Sequence, residues 1–283
     1  MSTQYLVSTD LDGTLLDHHT YSWQAAESAL QQCHDLNIPV IINTSKAQSE
    51  VTELLNQLGF DAPFVIENGS AMSLPLSVIN DLETIQQGDY PCVVEGDRLI
   101  VRFGADRESI LEFIQQVRKD YGWQFEGFSD WSVEQIVEHT GLTIENARQA
   151  SQKFYSEPFI WKDSDENLEQ FKLLVEKSDF KCMKGGRFFH LQGQTSKALP
   201  LQWLLANLEN IFENQDSNCV PKLICLGDNH NDVDMLNIAD YPVCVRSPIA
   251  DYPALTTSKN IIKTHAYGPG GWAEAINSIL TST

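Results

Sequence analysis

Tyr5-Leu-Val-Ser-Thr-Asp10-Leu-Asp12-Gly13-Thr14-Leu15 joins a short apolar run to two carboxylates spaced two residues apart, and its reading decides the fold. In open α/β sheets the carboxyl ends of the strands meet the ligand crevice. A strand over Tyr5–Ser8 therefore delivers Asp10 and Asp12 to such an edge. Gly13 permits the tight turn that must follow, and Thr14 adds a hydroxyl. Paired carboxylates in this place suit a metal-assisted nucleophile with an acid/base neighbour. A calcium loop does not fit: counted from Asp10, Leu15 falls where the loop's Gly belongs and Tyr21 where its Glu belongs.

Working outward, apolar runs recur at Val40–Asn43, Phe64–Ile66, Leu223–Leu226 and Tyr241–Val245. Between them Trp23–Leu36, Gln48–Leu58 and Ser196–Phe212 carry apolar residues at helical spacing, with stops at Asn37-Ile-Pro39 and Gly59. Strands alternating with helices imply a parallel sheet, and the pattern predicts an α/β fold with a doubly wound, Rossmann-like parallel-sheet core.

The middle of the chain has another rhythm. Val93-Val-Glu-Gly-Asp-Arg-Leu-Ile-Val101 alternates on both sides of a Gly-Asp turn and predicts a hairpin, which belongs to an antiparallel sheet. Helical patterns follow at 106–121, 143–155 and 164–177, with short strands at 159–161 and 187–191. The expected division is a core of residues 1–85 and 192–283 and an inserted α+β cap of residues 86–191, with hinges at Gly88-Asp-Tyr-Pro91 and Gly193. The insert holds 13 of the 19 basic residues against 19 acids, which leaves 6 basic and 20 acidic residues to the core.

A formal net charge of −20 over 283 residues argues against nucleic acid and anionic membranes as partners, since both need an excess of Lys and Arg. The N-terminal residues lack a basic region followed by an apolar stretch, and no run of 18 apolar residues occurs. The six cysteines form no C-x-x-C pair and mostly lie in apolar runs, so buried reduced thiols and a cytoplasmic location are expected.

A second acidic stretch, Gly227-Asp228-Asn-His-Asn231-Asp232, follows the run at 223–226 and opens a helical pattern. As a calcium loop it fails as well, with His230 at the third position and Val233 at the sixth. Oxygen-only ligands from Asp10, Asp12 and Asp228 suit a hard ion that keeps several waters, namely Mg2+.

With these residues assembled, the sequence resembles the haloacid dehalogenase-like phosphohydrolase superfamily. Asp10-x-Asp12-Gly13-Thr14 matches its first motif, Thr44 its second, Lys197 in Thr195-Ser-Lys-Ala its third, and Gly227-Asp228-x-x-Asn231-Asp232 its fourth, in the family's order. The resemblance implies a phosphatase in which Asp10 attacks phosphorus, Asp12 acts as general acid and then base, Thr44 hydrogen-bonds a phosphoryl oxygen, and Lys197 with Mg2+ offsets the charge of the phosphate. Asn231 and Asp232 then support Lys197 or metal-bound water, although capping the following helix is an equally physical use.

Three further stretches resemble the mannosyl-3-phosphoglycerate phosphatase branch. They are Thr44-Ser45-Lys46, the pair Trp161-Lys-Asp-Ser-Asp-Glu166 and Gly185-Gly-Arg-Phe-Phe-His190, and Tyr267-Gly-Pro-Gly-Gly-Trp272, where Gly270 replaces the usual Glu. The resemblance implies hydrolysis of mannosyl- or glucosyl-3-phosphoglycerate, a small phosphorylated partner. Trehalose- or sucrose-phosphate phosphatase and phosphomannomutase are the alternatives. Asp163-x-x-Glu166 reads as a capping box. Ser45, Lys46, Lys184, Arg187 and His190 are the candidate substrate contacts: Lys181, Lys184 and Arg187 sit among no acids, Gly185-Gly186 allows close backbone approach, and an Arg fork suits a glycerate carboxylate. A solvated basic strand edge is the competing use of these cations, and a core histidine that of His190.

Overall fold

Along the first strand, β1 (Tyr5–Thr9), alternate side chains point to opposite faces, and both faces are buried. Tyr5 and Val7 join one apolar cluster and Leu6 another, as expected of a central strand covered by helices on both sides. The computed structural model describes residues 5–59, 61–185, 187–212 and 220–281. Cys219 and Gly186 lie outside the described residues; the other five cysteines are free.

The chain continues through α1 (Glu27–Asp35), β2 (Val40–Asn43), α2 (Gln48–Leu58), β3 (Phe64–Ile66) and β4 (Ala71–Pro75). After α3 (Leu82–Gln86) come β5 (Cys92–Glu95) and β6 (Arg98–Arg102). A second group follows: α4 (Arg107–Tyr121), β7 (Phe125–Gly127), α5 (Val133–Thr140), α6 (Ile144–Ala150), β8 (Ser156–Trp161), α7 (Asp165–Val175), β9 (Phe180–Lys184) and β10 (Phe189–Gly193). The last third holds α8 (Ala198–Ala206), α9 (Leu208–Ile211), β11 (Lys222–Gly227), α10 (Val233–Ile238), β12 (Tyr241–Arg246), β13 (Ile262–Tyr267) and α11 (Gly268–Thr281).

These strands form a nine-stranded sheet in the order β13-β12-β11-β1-β2-β3-β4-β6-β5 and a four-stranded sheet in the order β7-β8-β10-β9. Pairing is parallel from β13 to β3 and antiparallel from β3 to β5. The path runs outward from β1 through β2 and β3 on one side, and from β11 through β12 and β13 on the other. Its switch point lies between β1 and β11, where α/β sheets open their crevice. On one face α1, α2 and α11 supply apolar residues, Trp272 among them; α3, α8, α9 and α10 cover the other.

The expected hairpin forms, but it belongs to the nine-stranded sheet and not to the insert. Strand β6 pairs with β4, Leu99 and Val101 enter the cluster under α8 and α10, and Ile100 enters the opposite one. Arg98 fixes the graft: its guanidinium donates to the Asp61 carboxylate, to the Ala62 carbonyl at 2.7 Å and to Ser73 Oγ at 2.6 Å. The segment at Gly88–Pro91 thus lies within the first unit. The chain crosses to the four-stranded sheet after Phe103 and returns at Gly193, and the two crossings touch. A Cβ on Gly193 would come within 2.3 Å of the Ala105 nitrogen. In the four-stranded unit α4 and α7 pack on one sheet face through Ile114, Phe125, Phe159 and Phe171.

Candidate active site

Three neighbouring strand ends build the site: Asp10 directly follows β1, Thr44 follows β2 and Asp228 follows β11. The Asp10 nitrogen donates to the Leu226 carbonyl at 2.9 Å, which extends the pairing one residue past β1. The loop then turns at Gly13, whose φ of +84° lies in the left-handed region. A Cβ there would stand 2.7 Å from Asp228 Oδ2, so the residue is Gly for reasons of both space and conformation. Thr14 is fully buried and donates from Oγ1 to Asp228 Oδ1 at 3.2 Å.

Lys197 closes the cluster from the opposite side. It is completely buried, and its Nζ donates to Asp10 Oδ1 at 2.6 Å and to Asp232 Oδ1 at 2.7 Å. The other oxygen of Asp232 accepts the Asp228 and Asn229 backbone N–H groups, each at 3.0 Å. Asp232 thus holds the lysine and the loop together, as expected of a supporting residue. Burial alone would lower the Lys197 pKa, but the charges of Asp10 and Asp232 outweigh it and raise it. Burial raises the pKa of Asp10 well above its ordinary value against the pull of Lys197. It also lifts Asp228 to about 6, with Asp232 adding to the effect.

Oxygen atoms of Asp10, Asp228 and Asp232 lie within 4.8 Å of one another. Three carboxylates facing one ammonium leave an excess of buried negative charge, and the donors are all hard oxygens. That set fits a divalent cation. The structure does not bring the Asp12 carboxylate into this group. Asp12 Oδ2 instead pairs with Lys46 Nζ at 2.9 Å, while Oδ1 is buried and has no partner among the described residues. Glu50 flanks the same lysine at 3.7 Å, and these two acids raise the Lys46 pKa despite its burial.

Several residues that the sequence reading missed hold this arrangement. Asn43 Nδ2 donates to the Lys197 carbonyl at 2.8 Å, and Thr195 Oγ1 to the Gly69 carbonyl at 2.7 Å. Glu67, Asn68 and Gly69 follow one another at positive φ, and a Cβ on Gly69 would come within 2.0 Å of the Ser196 carbonyl oxygen. This turn presents Asn68 to Asn231, whose Nδ2 donates to Asn68 Oδ1 at 3.0 Å. Glu67, fully buried, reaches across to the insert and accepts from the Phe154 and Tyr155 nitrogens and from Ser156 Oγ. Asn-Gly in the sequence was the available signal for the turn; nothing local marked Glu67.

The other candidates scatter. Thr44 is buried at the end of β2, where its Oγ1 accepts the Lys46 N–H at 3.2 Å, and Ser45 follows it. Lys184 is exposed over the Phe189 ring, and Arg187 is exposed and donates to the His139 carbonyl. His190 is partly buried on β10. The capping residue of α7 is Ser164, which accepts from the Asn167 nitrogen, and not Asp163. Trp272 is a core residue whose Nε1 donates to Thr9 Oγ1 at 3.0 Å; at Gly270 a Cβ meets only Ala266 Cβ, at 3.5 Å, in ordinary contact.

Comparison with known proteins gives the family. The profile of the haloacid dehalogenase-like hydrolases matches residues 7–89. The chain is 33% identical to the glucosyl-3-phosphoglycerate/mannosyl-3-phosphoglycerate phosphatase of Persephonella marina over 97% of each chain. It is 31% identical to the protein of that name from Methanococcoides burtonii, over 98% of this chain and 97% of the other. A solved haloacid dehalogenase-like hydrolase from B. subtilis shares the fold, with a TM-score of 0.59 at 19% identity and 98% coverage of both chains. The chain belongs to the haloacid dehalogenase-like hydrolases, in the family of the phosphatases it matches, and is a phosphoric monoester hydrolase.

Proposed function

We propose that the protein hydrolyses glucosyl- or mannosyl-3-phosphoglycerate to the glycosylglycerate and phosphate with Mg2+, through an aspartyl-phosphate on Asp10. The buried Asp10–Lys197–Asp232 constellation beside Asp228 carries the chemical part of this reading, and the named activity of relatives matched along nearly the whole chain supports the substrate. Lys197 occupies one Asp10 oxygen and leaves the other for attack on phosphorus; the phosphorus–oxygen bond to the glycerate then breaks. Asp12, oriented by Lys46 and with Oδ1 unpartnered, gives its proton to the departing oxygen. It then takes a proton from the water that attacks the aspartyl-phosphate, which releases phosphate and restores Asp10. Thr44 and Lys197 hold phosphoryl oxygens. Asp10 and Asp228 are the side chains that would hold Mg2+, which when bound offsets the charge of the phosphate dianion.

A phosphate-release panel tests the assignment. Glucosyl- and mannosyl-3-phosphoglycerate are expected to be turned over at least about tenfold faster, as kcat/KM, than trehalose phosphate, sucrose phosphate, mannose 1-phosphate and para-nitrophenyl phosphate. Equal rates would remove the substrate assignment. Asp10→Asn is expected to abolish turnover while leaving the melting curve cooperative, and chelation to stop it until Mg2+ is restored.

A further inference from the structure

Three polar side chains of the insert, Lys153 and Gln192 buried and His190 partly so, have no use in the phosphoryl chemistry. Along β10, Phe189 and Leu191 turn into the apolar layer under α4 and α7, so alternation sends His190 and Gln192 to the other face. Gln192 is completely buried, and neither its Oε1 nor its Nε2 has a hydrogen-bond partner among the described residues. The strand neighbours of these two are Pro158 and Ser156, and Ser156 bonds Glu67 of the nine-stranded unit, so this face looks toward the core. Lys153 lies three residues before Ser156 and is only 8% exposed. Its Nζ donates to the Ser45 carbonyl at 2.8 Å, and no ion pair involves it among the described residues. Burial and the Lys153 charge hold the His190 pKa down to about 4, so its imidazole is neutral at pH 7 and both donates and accepts.

A buried ammonium without a counter-charge, and a buried amide with both ends unpaired, cost stability unless a ligand supplies the partners. Ser45 adjoins Thr44 just past the end of β2, next to the strand that leads to Asp10, which sets Lys153 beside the phosphoryl site. We propose that Lys153 is the counter-charge for an acidic group on the leaving-group side of the substrate, a glycerate carboxylate, with His190 and Gln192 supplying neutral hydrogen bonds to its hydroxyls. The assignment rests on the function proposed above and moves the carboxylate contact from Arg187 to Lys153.

Glucosylglycerate and its uncharged counterpart glucosylglycerol, compared as inhibitors of para-nitrophenyl phosphate hydrolysis, test it. The acid is expected to inhibit the wild type more strongly than the neutral compound. Its inhibition constant should rise about tenfold or more in Lys153→Gln and Lys153→Met and stay within about threefold in Lys153→Arg, with melting curves verifying that each variant folds. Equal inhibition by the two compounds in the wild type, or an unchanged constant in both neutral variants, overturns the proposal. The inhibition assay uses no glycosylated phosphate ester, so a substrate panel without the expected preference would remove the functional reading and leave this result to be judged separately.

Discussion

Removing the Lys197 ammonium leaves Asp10 and Asp232 buried around an empty position, and an uncompensated buried charge of this kind typically costs about 3–5 kcal/mol. Lys197→Met is therefore expected to melt well below the wild type, with added Mg2+ restoring part of the loss; an unchanged melting temperature would contradict the paired geometry. Gly13→Ala carries its own expectation, because the new methyl meets Asp228 Oδ2 on a backbone at positive φ. Weaker Mg2+ binding and a loss of roughly 1–3 kcal/mol, read by calorimetry and denaturant titration, should follow. His190 sets a pH dependence. The unfolded chain protonates an imidazole near 6.5 and the folded one only near 4, so between those values the unfolded state holds more protons and stability rises with pH. That contribution is complete above about 6.5 and is lost as pH falls toward 4; His190→Gln should flatten the slope, on the order of 2 kcal/mol in denaturation midpoints taken at pH 4.5 and 7. Asp10 and Asp228 stood out in the sequence because they follow apolar runs that form strands, whereas Thr44 and Lys197 were picked out only through the family resemblance. Lys153 and Gln192 were not legible there, since their meaning comes from an absent partner, which only packing reveals.

Among the elements, the turn after β3 does the most with the fewest residues. Glu67 gives both carboxylate oxygens to the strap at Phe154–Ser156, Ser49 Oγ of α2 donates to the Gln149 carbonyl of α6, and Lys153 Nζ donates to the Ser45 carbonyl. Glu67→Ala should cost about 2–3 kcal/mol and expose residues 149–155 to proteolysis, as read by melting and by the rate of first cleavage. The central parallel strands β1, β2, β3, β11 and β12 followed from the sequence because both of their faces are apolar, whereas β4, β13, α3 and α11 did not. The hairpin at 93–101 shows where that reasoning stops: alternation identifies two strands but not the sheet they join. Its partner β4, Ala-Met-Ser-Leu-Pro, lacks a β-branched run, so the strand that captures it left no pattern to find.

For the molecule as a whole, the acid excess lies mainly in residues 1–85 and 192–283, the part of the chain that carries the site, with 20 acidic against 6 basic residues. Within it, Lys46 is paired with the Asp12 carboxylate and Lys197 with those of Asp10 and Asp232. No helix among the described residues is long and apolar enough to cross a membrane. The topology also carries a temporal consequence. Tyr5 pairs with Lys222, so β1 has no neighbour on its β11 side until most of the chain exists, whereas every strand of the four-stranded sheet lies between Phe125 and Gly193. Contacts of such sequence separation form slowly, and domains assemble as they leave the ribosome. The insert should thus acquire hydrogen-exchange protection before β1 does during refolding, and a nascent chain stopped short of β11 should hold a finished four-stranded unit tethered to a half that still lacks Asp228 and Asp232.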